Sequence, residues 1–247
     1  ELLPATRRRL DLLTRKHAYI ECADHIVCIS ESTRNDLLRL MPHVRKPITV
    51  AYPGVDTAFA PGAPPLTDVK APYILYVGNR GGYKDANVLM QAFGQLVGTF
   101  PDHVLLFIGG GPLSRKELYT VDSLGIPANR VMQRNLPDEL MPSAYSHAQV
   151  TVFPSRYEGF GLPAVEAMAS GSPLILADAS SFPEVGGDAA LYFRPGDSDE
   201  LAALMQAVLR SEALALDLSR RGPSRASRFT WSDYANGNQH AYEIAMS

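Results

Sequence analysis

Between Pro154 and Gly171 the sequence reads Pro-Ser-Arg-Tyr-Glu-Gly-Phe-Gly-Leu-Pro-Ala-Val-Glu-Ala-Met-Ala-Ser-Gly, which holds two acids, Glu158 and Glu166, around a glycine-bearing turn. Pro163 suits the first position of a helix, and Gly171 the residue just past its end. Gly159 and Gly161 carry no side chain, so the amides leading into this helix are open to close approach. A helix start with unpaired N–H groups and the positive end of the macrodipole attracts anions. Glu158 falls just outside that start and Glu166 about one turn inside it. A diphosphate could rest on the amides while a carboxylate on each side reaches sugar hydroxyls, and that is the chemistry of a nucleotide sugar. The residues alone leave a second reading open: a Gly-rich strand-to-helix turn whose glutamates are solvated or capping.

The elements that must position these residues are legible as alternation. From residue 73 onward the apolar runs Tyr73–Val77, Val104–Ile108, Val150–Phe153, Leu174–Ala177 and Ala190–Phe193, with the weaker Arg130–Gln133, are separated by helix-like stretches at 85–97, 113–124, 137–147, 163–170, 199–209 and 212–228. Near-continuous apolar runs indicate strands covered on both faces. Repeated strand–helix alternation predicts right-handed crossovers and an α/β, Rossmann-like, doubly wound parallel sheet with helices on both faces. Ligands of such sheets bind beyond the carboxyl ends of the strands, so the loops after residues 78, 109, 133, 154 and 178 should carry the chemistry. Residues 1–60 read as a separate segment, with a basic helix, a strand at 25–29, a helix capped near Ser30 or Ser32, and a strand at 48–51. Residues 61–70, dense in Pro and Gly, read as an interdomain linker, and 229–247 as a last helix packing back toward the first segment. Ser181 and Glu184 read as a helix capping box.

Composition bounds the class. With 247 residues, 46% hydrophobic and 20% charged, this is an ordinary globular chain. A net charge of −3 gives no global case for a nucleic-acid partner. No apolar run reaches the length that spans a bilayer. The basic run Arg7-Arg8-Arg9 with Arg15-Lys16-His17 reads as a solvated helix face, with weak peripheral contact to an anionic membrane surface as its alternative. Two cysteines without zinc spacing suggest the reducing cytosol, at the inner face of the membrane if that contact forms. The chain opens at Glu1 rather than Met, which reads as a fragment or a processed chain.

The run from Glu158 to Glu166 matches the Glu-x7-Glu signature of family-4 retaining glycosyltransferases, which have the GT-B fold. The match includes the Glu-Gly-Phe-Gly-Leu-Pro core and the Glu-Ala-Met-Ala-Ser-Gly continuation. Further landmarks follow in the family's order: Ser30-Glu31-Ser32-Thr33, Pro53-Gly54-Val55-Asp56, Tyr76-Val77-Gly78 and Gly109-Gly110-Gly111-Pro112-Leu113. The chain therefore resembles the C-terminal donor-binding domain of that family with a remnant of its N-terminal domain. The resemblance implies that Glu158 lies against the donor sugar and Glu166 holds the ribose. It also implies that the amides of Gly159, Phe160, Gly161 and Leu162 serve sugar hydroxyls and phosphates. Many members carry an Arg after the Val-Gly strand end and a Lys five residues on. Lys84 fits the lysine, whereas Asn79 occupies the arginine position and Arg80 follows one residue later. Gly78, Asn79, Arg80 and Lys84 are thus the expected phosphate loop, with Lys84 and Arg80 joining Glu158 in catalysis, since fixed cations stabilise a leaving diphosphate. A solvent-exposed basic turn is the competing reading. Arg134, in the loop that frames the nucleobase in relatives, is a further donor-binding candidate or else a surface arginine. Gly109–Pro112 reads as a tight turn lining the donor cleft rather than a dinucleotide site. No Asp-x-Asp motif falls at a strand end, so no metal and no cofactor beyond the donor is expected. The implied reaction moves a hexose from GDP-mannose or a UDP-sugar to a glycan or lipid-linked acceptor hydroxyl with retention. The alternative is a donor-binding module that needs a separate acceptor subunit.

Overall fold

The computed structural model describes the chain from Arg7 to Ser247, with side chains from Arg15 onward. The side chains of Arg7, Arg8 and Arg9, part of the basic run, lie outside the described residues. The chain divides into two compact units, the residues up to Gly54 with Phe229–Ser247, and Val55–Arg228. The first contains α1 (Arg7–Cys22), β1 (Ile26–Cys28), α2 (Glu31–Leu40) and β2 (Ile48–Val50). β1 and β2 pair in parallel with Ile26 opposite Ile48. Ser30 caps α2 by accepting from the Thr33 amide. Both cysteines are free, and burial raises the pKa of the Cys28 thiol above its ordinary value. Among the described residues no helix is long and apolar enough to cross a membrane.

The second unit holds β3 (Tyr73–Val77), α3 (Ala86–Leu96), β4 (Val104–Ile108), α4 (Arg115–Ser123), β5 (Val131–Arg134) and α5 (Met141–Ser146). These lead on to β6 (Val150–Phe153), α6 (Leu162–Ala169), β7 (Leu174–Ala177), α7 (Phe182–Gly186), β8 (Leu191–Phe193), α8 (Ser198–Arg210) and α9 (Glu212–Ala226). The last helix, α10 (Trp231–Ala245), returns to the first unit, where it packs on β1 and β2. The six strands of the second unit form one sheet in the order β5-β4-β3-β6-β7-β8, every neighbour parallel. The chain winds outward from β3 in one direction and from β6 in the other, so a crevice opens beyond the carboxyl ends of β3 and β6, where the winding reverses. The strands can be covered on both faces because almost every residue in them is apolar; Ile74, Leu75, Leu105, Leu106, Leu174 and Ile175 are fully buried. Each such side chain contributes about 1.5–3 kcal/mol relative to exposure.

Two boundaries differ from the sequence expectation, each for a physical reason. The stretch read as one helix over 137–147 is a 3-10 turn at Asp138–Leu140 followed by α5. Pro142 has no amide to donate and is tolerated only at a helix start, so the helix begins anew there. Residues 55–70 belong to the second unit instead of being split between a first segment and a linker. Leu66 and Val69 are buried, the Ala63 carbonyl lies 2.7 Å from His147 Nε2, and Asp68 pairs with Arg134 at 3.0 Å. Pro and Gly make this segment irregular in backbone, but its two apolar side chains anchor it.

Candidate functional site

The site is built where the loops after β3 and β6 meet. In the first loop Asp85 takes the left-handed conformation (φ 51°), which Asp tolerates better than most residues, and it ends a 3-10 turn over Gly82–Lys84. Three ties join this loop to the second. The Arg156 amide donates to the Tyr83 carbonyl at 2.8 Å, the Arg156 Nε donates to Asp85 at 2.6 Å, and Lys84 Nζ donates to Glu158 Oε1 at 2.6 Å. The side chains of Lys84 and Glu158 are only 24% and 14% exposed, so this is a partly desolvated ion pair rather than a surface contact.

A third loop fixes the backbone of Glu158. The hydroxyls of Ser180 and Ser181 donate to the Glu158 carbonyl at 2.6 and 2.9 Å, and the Ser181 hydroxyl also lies 2.9 Å from the Phe160 carbonyl. Ser181 is completely buried. It stands at the N-cap of α7 but makes no side-chain cap bond, so the capping box read from Ser181 and Glu184 does not form. Its hydroxyl instead reaches two carbonyls of the glycine-rich turn, those of Glu158 and Phe160.

That turn ends at Gly161, φ +98°, where a Cβ would sit 2.9 Å from the Phe182 ring. Only glycine fits. α6 starts at Leu162, one residue earlier than expected, with Pro163 in its first turn. Among the described residues the amides of Gly161 and Leu162 donate to no acceptor. They stand at the positive end of the helix, close in sequence to Glu158.

Glu166 projects from the first turns of α6 and accepts a hydrogen bond from the Tyr145 hydroxyl at 3.0 Å. Burial raises its carboxyl pKa above the ordinary range; the Tyr145 hydrogen bond opposes that rise and the nearby charge of Asp138 adds to it. Its carboxylate lines a cavity of about 730 Å³, whose walls include Asp56, Phe59, Val77, Asp138, Met141 and Pro142. Apolar walls with a few convergent carboxylates suit a flat, partly polar ligand. Glu158 does not line this cavity; it faces Lys84 at the crevice.

Arg80 does not join them. Its side chain is 4% exposed and turned into the loop after β4, donating to Glu117 at 2.7 Å and to the carbonyls of Gly109 and Gly111 at 2.8 Å each. The guanidinium also lies 5.4 Å from the Phe107 ring centre. Three successive left-handed glycines curl the 109–111 backbone around it, and a Cβ on Gly110 would lie 2.7 Å from Arg80 Nη1. The Glu117 carboxyl, pushed up by burial, is pulled below its usual range by hydrogen bonds from Arg80 and Ser114. In this arrangement the Arg80 guanidinium is held by Glu117 and the carbonyls of the 109–112 turn, apart from the Lys84–Glu158 pair. Gly78 leads into this loop, with its amide on the Ile108 carbonyl. Asn79 and Arg80 both line a second cavity of about 570 Å³, with Gly81, Asp85, Ser114 and Lys116. Arg134 pairs with Asp68 and lines neither cavity.

Sequence reasoning missed Tyr145, Ser180 and Ser181. Tyr145 sits in a short helix whose pattern marks only burial. The Ser-Ser pair carries a helix-start signal that masks its tertiary use. Among the described residues no group of three or more His, Cys, Asp or Glu is placed to hold a metal ion.

A doubly wound parallel sheet, with a lysine and a glutamate bridging its crevice beside an open helix start, is the α/β architecture shared with the GT-B glycosyltransferases. Residues 63–225 match the family described as Glycosyl transferases group 1, so the chain belongs to that family, and residues 2–59 match Glycosyltransferase Family 4. The chain is 28% identical over 238 residues to the O-antigen chain mannosyltransferase B of Escherichia coli, covering 92% of this chain and 62% of that protein. Its structure resembles that of sucrose-phosphate synthase from Thermosynechococcus elongatus, with a TM-score of 0.78 and 25% identity over 99% of this chain and 65% of that one. It also shares the fold of Anabaena Alr3699/HepE, solved in complex with UDP and glucose, with a TM-score of 0.79 and 19% identity over 96% and 67% of the respective chains. These neighbours are GT-B glycosyltransferases.

Proposed function

We propose that this chain supplies the donor-binding half of a retaining glycosyltransferase that moves a hexose from a nucleoside diphosphate sugar to an acceptor hydroxyl. The observation that carries the reading is the Lys84–Glu158 ion pair, 2.6 Å long, spanning the crevice where the sheet reverses its winding. Lys84 contacts the diphosphate and neutralises the charge that develops as the glycosidic bond breaks. The amides of Gly161 and Leu162 take the remaining phosphate oxygens at the start of α6. Glu166, in its apolar-walled cavity, accepts from the ribose hydroxyls while the base lies against Phe59 and Met141. Glu158 orients the sugar through its hydroxyls and is not a nucleophile; the leaving phosphate accepts the proton of the incoming hydroxyl on the same face, which retains configuration. Lys84 and the helix amides carry the charge stabilisation that a divalent ion supplies elsewhere, so chelators should leave donor binding unchanged. The acceptor is a glycan or a lipid-linked glycan.

GDP-mannose is the first donor to try, since the Escherichia coli relative is named a mannosyltransferase; UDP-glucose is the second, given the ligands of the Anabaena structure. Calorimetric titration of the chain with GDP-mannose, GDP, UDP-glucose and UDP tests the reading. Saturable binding of one nucleotide series supports it. Absence of binding by all four at millimolar concentration overturns it.

A further inference from the structure

A third cavity, of about 300 Å³, is lined by Asp188, Arg220, Arg221, Ser224, Arg225 and Arg228. The sheet is entirely parallel, so its two edges are distinct: the loops carrying Lys84 and Glu158 leave one edge, and the strands begin at the other. Asp188 lies just before β8, and the Ser219 hydroxyl bonds the carbonyl of Gly171, just before β7. The arginine cavity therefore opens where the strands start, opposite the proposed donor crevice. Arg221, Ser224, Arg225 and Arg228 follow the spacing of one helix face, which the end of α9 continues.

Cations near a helix C-terminus complement the macrodipole, and that accounts for part of the cluster. Arg225 donates from Nε to the Val185 carbonyl at 2.9 Å, and its Nη2 donates to the Glu184 carbonyl. Arg221 pairs with Asp217 at 2.6 Å and reaches the Asp188 carbonyl at 3.3 Å. These two hold the end of α7. The side chains of Arg220 and Arg228 make no hydrogen bond or ion pair among the described residues, yet line the same concavity. Four guanidinium groups around one hydroxyl, set against a single lining carboxylate, form a concentrated positive pocket. Guanidinium forks match the oxygens of a tetrahedral oxyanion bidentately. The cavity is at the small end of the range for ligand sites, too small for a whole nucleotide sugar. We infer that this pocket binds a phosphate-type oxyanion, either a free phosphoryl compound or the headgroup of an anionic phospholipid, with Arg220, Arg228 and Ser224 as its primary donors.

The test follows arginine side-chain NMR signals during titration with inorganic phosphate, in the Lys84→Ala background so that the donor crevice does not compete. Sedimentation with vesicles of phosphatidylglycerol, against vesicles of phosphatidylcholine, forms the second arm. Each is repeated in the double variant Arg220→Ala, Arg228→Ala, which removes two exposed side chains without breaking a hydrogen bond or ion pair among the described residues. Saturable movement of the Arg221 and Arg225 signals, which both proteins retain, with affinity about tenfold weaker in the double variant, is the expected result. Phosphate binding without sedimentation identifies a free phosphoryl ligand; sedimentation with the anionic vesicles alone, lost in the double variant, identifies the headgroup. Failure of both phosphate and anionic vesicles to bind, or equal binding by the double variant, overturns the inference.

Discussion

The Lys84–Glu158 pair predicts opposite effects on nucleotide affinity for its two members. Among the described residues the Lys84 ammonium has one hydrogen-bond partner, Glu158, and that contact must be shared or given up when a diphosphate takes the ammonium. A hydrogen bond to a charged group contributes about 1.5–3 kcal/mol, so Lys84→Ala should weaken nucleoside diphosphate binding roughly 10- to 150-fold. Glu158→Gln removes the competing charge while keeping the shape, so affinity for the nucleotide without its sugar should stay level or tighten. Affinity for the intact nucleotide sugar should fall, because the sugar hydroxyls lose their acceptor. Stability moves little: at 24% and 14% exposure the pair lies between a surface bridge and a buried one, and breaking it costs about 1–2 kcal/mol. That corresponds to a drop in Tm of roughly 2–8 °C for a chain of this size. Calorimetry with the nucleotide and the nucleotide sugar in parallel, with thermal melts of each variant, reads all of this. If Glu158→Gln weakens the bare nucleotide as much as Lys84→Ala does, the pair is structural and the assignment of roles fails.

Three further outcomes follow from the same geometry. Arg80→Met strips the loop after β4 of its central donor and leaves Glu117 and several carbonyls uncompensated, so Tm should fall by roughly 6–20 °C, from about 3–5 kcal/mol. At a temperature where that variant is folded, nucleotide affinity should stay within about threefold of the parent, and a loss like that of Lys84→Ala would return Arg80 to the phosphate. Ser181→Ala removes a buried hydroxyl that reaches the carbonyls of Glu158 and Phe160 and should cost about 1–3 kcal/mol in melts, with nucleotide-sugar affinity falling as Glu158 loosens; an unchanged Tm contradicts the tie. The raised carboxyl pKa of Glu166 means that the folded state holds its proton more tightly than the unfolded chain does. The resulting stability is complete below the ordinary glutamate range and is lost as pH rises through the folded value. Glu166→Gln should therefore melt higher than the parent at neutral pH, with the gap closing toward about pH 4, while binding nucleotide more weakly. A variant less stable than the parent at neutral pH refutes this.

The sheet is legible because its strands are continuous apolar runs, and burial on both faces leaves such runs little else to form. The crevice is legible for the same reason: strand–helix alternation fixes where parallel strands end, and Lys84 and Glu158 both follow strand ends. What escapes is whatever depends on the third dimension within a loop. Arg80 and Lys84 stand four positions apart in one glycine-rich segment, and nothing in that segment tells which one turns inward. The deciding feature is the curl of three left-handed glycines after β4, distant in sequence. Ser181 carries a local helix-start signal stronger than any hint of its contact with Glu158. Leu66 and Val69 are ordinary apolar residues whose anchoring role is hidden by the prolines and glycines around them.

The two cations of the first loop show why one is suited to a ligand and the other to the protein. Arg80 is buried among a carboxylate and the carbonyls of residues 109–112. Moving it toward a phosphate would strand those acceptors, each costing about 1–3 kcal/mol where water does not reach them. Lys84 would strand only Glu158, and a donor sugar offers hydroxyls that can satisfy that carboxylate in exchange. The trade is close to neutral before the phosphate contact is counted, so ligand binding need not disturb the loop. The ties of Arg156 to Tyr83 and Asp85, and of Ser180 and Ser181 to Glu158, involve neither the ammonium nor the Glu158 carboxylate. They hold the crevice in place while its one exchangeable pair opens. Preorganisation of this kind spends donor binding energy on the reacting groups rather than on ordering loops.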